Sequence, residues 1–153
     1  MPLNLSFSIE GEKQLSATLG IIAEGVTDYR KPLSRSKESL LDSFDKNFAQ
    51  RGKLFGGWKP RQAKFSRGVR IDKWPLLEKR GNMRKGFVGA ITGQSTLTLS
   101  NTQSYFKYHQ SNKARKSNLP RRVMMKIDST RRINIMKYHQ EYLIGLLRSK
   151  GMR

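Results

Sequence analysis

The chain predicts an α+β fold: a small antiparallel sheet packed with two amino-terminal helices and one carboxy-terminal helix, joined by long basic loops. Three observations carry this expectation. Leu33, Leu40, Leu41, Phe44 and Phe48 recur at helical spacing, while residues 87–91 and 96–100 are β-rich runs on either side of a glycine-containing turn. Between them, Gly52, Gly56, Gly57, Pro60, Gly68, Pro75 and Gly81 interrupt a stretch that can be neither a continuous helix nor a central strand.

Taken in order, Leu3, Leu5, Phe7 and Ile9 alternate with Asn4, Ser6 and Ser8, the period-two pattern of a strand with one buried face, and Gly11 ends it. Leu15, Leu19, Ile22 and Val26 then mark an amphipathic helix over 12–26. Asp28 and Pro32 suit the start of a second helix, which reaches about Gln50 and is stopped by Gly52. Residues 52–82 read as a long loop. Trp58 and Trp74 within it argue against plain disorder.

A hairpin follows, turning at residues 92–95 and sending Leu97 and Leu99 to the core. The aromatic cluster Tyr105, Phe106 and Tyr108 precedes a second basic loop over 111–118. Residues 123–127 suit a further strand, and Asp128 is placed to cap a last helix whose stripe is Ile133, Met136, Leu143, Leu146 and Leu147. The tail from Arg148 is read as frayed.

At 153 residues the expectation is one domain, 1–153, with a modest core. Lys and Arg number 31 against 11 acids, a formal charge of +20 that repels itself unless a negative partner compensates it. The charge is unevenly placed. Residues 1–28 hold one lysine against four acids, a balance of −3, which leaves +23 for the rest.

The chain has no cysteine, which excludes disulfides, thiolate nucleophiles and Cys-ligated metals. No apolar run approaches the roughly 20 residues of a membrane span, and Met1-Pro2-Leu3-Asn4 lacks the start of a signal peptide, so a cytosolic origin without membrane contact is expected. His109 and His139 fall on different elements and outside any metal-binding spacing. Asp72 and Glu78 flank Trp74 and could in principle form the paired carboxylates of a Mg²⁺-dependent nuclease, but Lys73, Lys79 and Arg80 balance them more simply. No nucleophile elbow, Walker A run or dinucleotide fingerprint occurs. We therefore expect no catalytic residue, no metal and no cofactor.

The basic segments carry more weight. Lys46, Arg51, Lys53, Lys59, Arg61, Lys64 and Arg67 follow one another without an intervening acid, and Lys113, Arg115, Lys116, Arg121, Arg122, Lys126, Arg131 and Arg132 are interrupted only by Asp128. Such runs suit phosphate neutralisation, or else acidic patches on neighbouring subunits, or they are solvated faces. No recognition helix accompanies them, so sequence-specific base reading is not expected. The candidate interface or DNA-facing residues are Trp58, Lys59, Arg61, Lys64, Arg67, Trp74, Tyr105, Tyr108, His109, Lys113, Arg115, Lys116, Arg121 and Arg122. The two tryptophans are candidate anchors, since tryptophan is enriched in binding hot spots, with a place over the core as the alternative.

Several short motifs occur in a particular order: Phe44-Asp45-Lys46-Asn47-Phe48, Gly57-Trp58-Lys59-Pro60, Trp74-Pro75-Leu76-Leu77 and Gly81-Asn82-Met83-Arg84-Lys85-Gly86-Phe87. Leu97-Thr98-Leu99-Ser100-Asn101, Tyr105-Phe106-Lys107-Tyr108-His109-Gln110 and Leu119-Pro120-Arg121-Arg122 complete the series. In that order and at those intervals, over nearly its whole length, the chain resembles the phage virion-morphogenesis, or tail-completion, family of Mu-like and related tailed phages.

The resemblance implies an α+β structural subunit of the head-tail junction: a connector, neck, tail-completion or tail-terminator protein without enzymatic chemistry. It implies homo-oligomeric rings on the order of six or twelve subunits, contact with head-completion or adaptor proteins and with tail-tube proteins, and a place in the virion after assembly in the bacterial host cytoplasm. Packaged DNA is a further partner for non-specific contact. The alternative, from another class, is an independent non-specific nucleic-acid-binding protein. Two departures fall around the second basic loop. Ser111-Asn112 stand where the family has an aromatic residue or glycine and a glycine-rich turn, and the family's Pro-x-Arg-x-Phe becomes Pro120-Arg121-Arg122-Val123-Met124.

Overall fold

The computed structural model describes Gly20, Ala23 and residues 27–60, 62, 64–70, 74–111, 119–149 and 151. The fold is α+β. The strand expected over 3–9 lies outside the described residues, as do nearly all of the helix expected over 12–26 and all but Ser111 of the second basic loop.

Helix α1, Arg30–Ala49, is the spine. Pro32, Leu33, Ser36, Leu40, Phe44, Asn47 and Phe48 are its buried residues; from Leu33 to Asn47 they recur three or four apart, and with the neighbours Pro32 and Phe48 they form one face. Tyr29 occupies the cap position without a side-chain cap, and Asp28 acts one residue earlier: its Oδ1 accepts the N–H of Arg30 at 3.1 Å. The Tyr29 N–H donates to Gln94 O at 2.8 Å, which ties the helix start to the hairpin turn. At the other end Arg51 and Gly52 take φ of +53° and +84°, and the chain turns through a short 3-10 helix, Lys53–Phe55. Gly52 stops the helix as expected.

Strands β1 (Phe65–Ser66) and β2 (Val69–Arg70) form a small exposed hairpin inside the stretch expected to be loop. A short helix α2, Asn82–Lys85, then leads into β3 (Phe87–Thr92), which pairs antiparallel with β4 (Thr96–Asn101). The register places Ile91 opposite Leu97 and Gly89 opposite Leu99. Burial alternates strictly along both strands, so Phe87, Gly89, Ile91, Leu97 and Leu99 face inward and Val88, Ala90, Thr96 and Thr98 face out. Helix α3, Phe106–Gln110, was not anticipated; its five residues sit where the sequence shows an aromatic cluster.

The core has two parts. Leu40, Phe44 and Phe55 pack with Leu97, Leu99, Met125 and Ile135, while Phe48, Met83 and Met124 pack with Trp58, Leu77 and Phe106. Phe87 joins them, its ring centroid 5.3 Å from Phe44, 5.8 Å from Phe48 and 5.8 Å from Phe106. Full burial of one such side chain stabilises by about 1.5–3 kcal/mol.

Two expectations are corrected. Residues 123–127 form no strand, because side chains occupy their polar groups: Gln110 Oε1 accepts from the N–H of Met124 (2.9 Å) and of Met125 (3.2 Å), and its Nε2 donates to Met125 O (2.5 Å). The last helix, α4 (Ser129–Ser149), starts as expected, with Asp128 Oδ1 accepting the N–H of Arg131 at 3.0 Å, but it continues through Arg148. Its inner side differs only in part, since Leu143, Leu146 and Leu147 are half-buried as expected. Ile135, Tyr138, His139 and Tyr142 are half-buried, with Tyr138 OH donating to Ser39 Oγ (3.3 Å), whereas Ile133 and Met136 are 63% and 60% exposed. One turn of polar contacts with α1 decides the rotation: Arg35 pairs with Glu141 at 2.8 Å, its guanidinium lies over the Tyr138 ring, and Tyr29 meets His139. No helix among the described residues is long and apolar enough to cross a membrane.

Candidate functional site

The first basic loop is folded back against the core by Trp58. Its ring lies edge-on to Phe48 (4.9 Å between centroids) and against Gly52, and its Nε1 donates to Val123 O at 2.8 Å. Trp58 is therefore part of the protomer's own packing, the place over the core given above as the alternative, and the only polar atom of the indole is used internally. Lys59 emerges just beyond it, and its carbonyl accepts from Arg122 Nη2 at 3.3 Å.

This arrangement opens a cleft of about 860 Å³. Lys59 and Lys64 supply one side. Leu76, Leu77, Lys79 and Arg80 supply another, and Tyr105, His109, Leu119 and Arg122 come from the aromatic helix and from the segment before residue 123. Among the described residues, none that lines the cleft is acidic.

Local structure explains the convergence. Residues 75–81 form successive turns, with Glu78 N–H donating to Pro75 O (3.1 Å), Gly81 N–H to Glu78 O (3.2 Å), and Leu77 and Gly81 at positive φ. Arg84 anchors those turns on α1: it makes a two-pronged pair with Asp45 (2.5 and 2.7 Å) and reaches Glu78 at 3.3 Å. The hydrogen bond to Asp45 raises the Arg84 pKa above its ordinary value, and the same bond lowers that of Asp45. Glu78 is thus occupied by Arg84, and Asp72 lies outside the described residues. Arg122, 5% exposed, is held by its own N–H donating to His109 O at 2.9 Å.

Of the candidate residues, Lys59, Lys64, Tyr105, His109 and Arg122 are brought together in this cleft. Arg121 is exposed beside it, with Nε 3.4 Å from Gln110 O. Arg67 lies at the exposed β1–β2 turn, and Tyr108 is exposed with Lys107 over its ring. Trp74 is half-buried, with Lys79 Nζ 4.6 Å from its ring centroid, so it supports one lip of the cleft. Arg61, Lys113, Arg115 and Lys116 lie outside the described residues. Sequence reasoning missed Lys79 and Arg80 as site residues. The signal available was their position directly after Leu76-Leu77 in the basic loop.

Compared with protein-family models, with curated proteins and with solved structures, the chain finds no match.

Proposed function

We propose that this chain is a structural subunit of a tailed-phage head-tail junction, working by binding and assembling into a ring that joins or completes head and tail. The observation that carries the reading is the outer face of α4. Ile133, Met136 and Ile144 (47% exposed) stand on one side of the helix, turned away from α1. Isolated exposed apolar residues are ordinary; three on one side of a single helix are the feature we read as an interaction surface.

Elsewhere, on the β1–β2 hairpin, Phe65 is exposed on one face and Val69 on the other, since the register pairs Phe65 with Arg70 and Val69 with Ser66. A head-to-tail contact sets one such surface against a different surface of the next protomer, and its repetition gives a ring where the rotation closes. The order of motifs described above supports the same reading, as does a charge of +20 that a ring would concentrate toward acidic neighbours or DNA.

The test is sedimentation of the full chain, alone and with portal-side and tail-side proteins, beside an Ile133→Asp/Met136→Asp variant. Rings for the parent and a monomer of unchanged helical content for the variant are expected. A parent chain that stays monomeric under all these conditions would sink the reading. An independent nucleic-acid-binding protein is the second reading, favoured by the basic cleft; it predicts salt-dependent binding to free DNA or RNA with no place in the particle.

A further inference from the structure

We infer that the cleft between Lys59, Lys79, Arg80 and Arg122 is a binding site for a single strand of nucleic acid, with phosphates on the cations and a base against Tyr105. This goes beyond the ring reading. It uses none of the α4 face and would hold for a free protomer.

The charge is converged rather than merely abundant. Cationic side chains reach one concavity from three separate places in the chain, Lys59 with Lys64, Lys79 with Arg80, and Arg122, while Glu78, the acid nearest in sequence to Lys79, is turned to Arg84. Clefts lined by one sign of charge, with low-dielectric walls, focus the field and raise the local concentration of the opposite ion. The apolar walls are present in Leu76, Leu77 and Leu119.

Size and lining select the polyanion. About 860 Å³ lies within the range, roughly 300–1,000 Å³, that encloses a compact ligand, so a duplex can only lie across the mouth while a strand can enter. Tyr105 is 42% exposed and lines the same space. A nucleic-acid strand brings both a charge and a flat ring in every repeat, which matches a basic groove bearing an aromatic platform. An acidic peptide brings the charge alone, and in a duplex the bases are already stacked on each other and leave Tyr105 without a partner.

The test is binding of the full chain to a fluorescent oligothymidylate of about fifteen nucleotides, long enough to exceed one site. A duplex of equal length and a poly-glutamate of equal charge serve as competitors. Lys59→Gln/Lys79→Gln/Arg80→Gln removes three cations from the cleft. Lys31→Gln/Lys46→Gln/Lys53→Gln removes three exposed cations from α1 and the turn after it, none of which lines the cleft.

The cleft variant should lose at least tenfold in affinity and the charge-matched control no more than about threefold. The slope of log affinity against log salt should fall by about 2 for the cleft variant, from roughly 0.7 per phosphate contact. Tyr105→Ala should lose about fivefold or more for the single strand and nothing for poly-glutamate. Equal losses from the two triple variants would overturn the proposal in favour of diffuse charge. Poly-glutamate or duplex competing better than the strand would overturn it in favour of those partners. Sedimentation of the same variants separates this outcome from the ring reading, since cleft substitutions should leave assembly intact.

Discussion

The indole N–H of Trp58 donates a 2.8 Å hydrogen bond to the carbonyl oxygen of Val123, joining two basic stretches 65 positions apart. The Asn47 side-chain amide donates to the same carbonyl at 3.2 Å, so one oxygen gathers α1, the first loop and the segment before α4. The cleft is the space left on the outer side of this junction.

Removing the ring should therefore cost stability first. Trp58→Ala is expected to destabilise by about 3 kcal/mol, the lower end for a large aromatic in a core because the side chain is only half-buried. Trp58→Phe should cost about 1 kcal/mol, since the ring contact with Phe48 is kept and Asn47 still serves the carbonyl. Urea denaturation measures both. A Trp58→Ala variant as stable as the parent would mean that the indole is not a core residue.

Gly52 answers the same contact from the other side. It has φ of +84°, and an added Cβ would lie 2.2 Å from Trp58 Cδ1. Gly52→Ala should cost about 2–4 kcal/mol from left-handed strain and overpacking together. At Gly93, with φ of +64° and open space, Gly93→Ala should cost only the strain, about 1–2 kcal/mol. Thermal melts of the pair check the ranking, and equal losses would refute the clash with the indole.

Gln110 substitutes for a partner strand, making three hydrogen bonds to Met124 and Met125. Gln110→Met keeps the volume and deletes all three, and should destabilise by about 2–3 kcal/mol as partly buried backbone groups lose their partners. Hydrogen exchange should show the amides of residues 124 and 125 losing protection selectively. Unchanged protection at both would show that the clamp is not formed in solution.

Acid should unfold the protein through three aspartates. The side-chain hydrogen bond from Arg30 lowers the Asp28 pKa to about 2, that from Arg84 lowers Asp45, and the backbone N–H of Arg131 lowers Asp128. A carboxylate with a lowered folded-state pKa contributes stability in full above its unfolded value, 3.8, and loses it as pH falls through the folded value. Stability should accordingly be flat toward neutral pH and drop between about pH 4 and pH 2, more steeply at low salt because each protonation adds to a charge of +20. Asp45→Asn should make the curve shallower. An identical acid limb for that variant would exclude the Arg84 pair as a contributor.

Local chemistry made several elements readable from residues alone. The apolar spacing from Leu33 to Phe48, the stop at Gly52, the alternation that sends Leu97 and Leu99 inward, and the Asp128 cap each depend on neighbours within a few positions. Residues 123–127 were harder. A β-rich run shows that the chain will be extended, but not whether its polar groups will meet a strand or, as here, the side chains of Asn47, Trp58 and Gln110.

The amino-acid sequence by itself determined the helices Arg30–Ala49 and Ser129–Ser149, the hairpin of residues 87–101 and how strongly cationic the chain must be, because periodicity, capping and composition act over short range. Tertiary structure alone decided that Trp58 turns inward, that Ile133 and Met136 stay outside, and that Lys79 and Arg80 join Lys59, Tyr105 and Arg122 around one cleft. Those outcomes depend on contacts between residues tens of positions apart. A residue's type constrains such contacts only weakly, since the same tryptophan or isoleucine is stable on either side of the surface until its neighbours are in place.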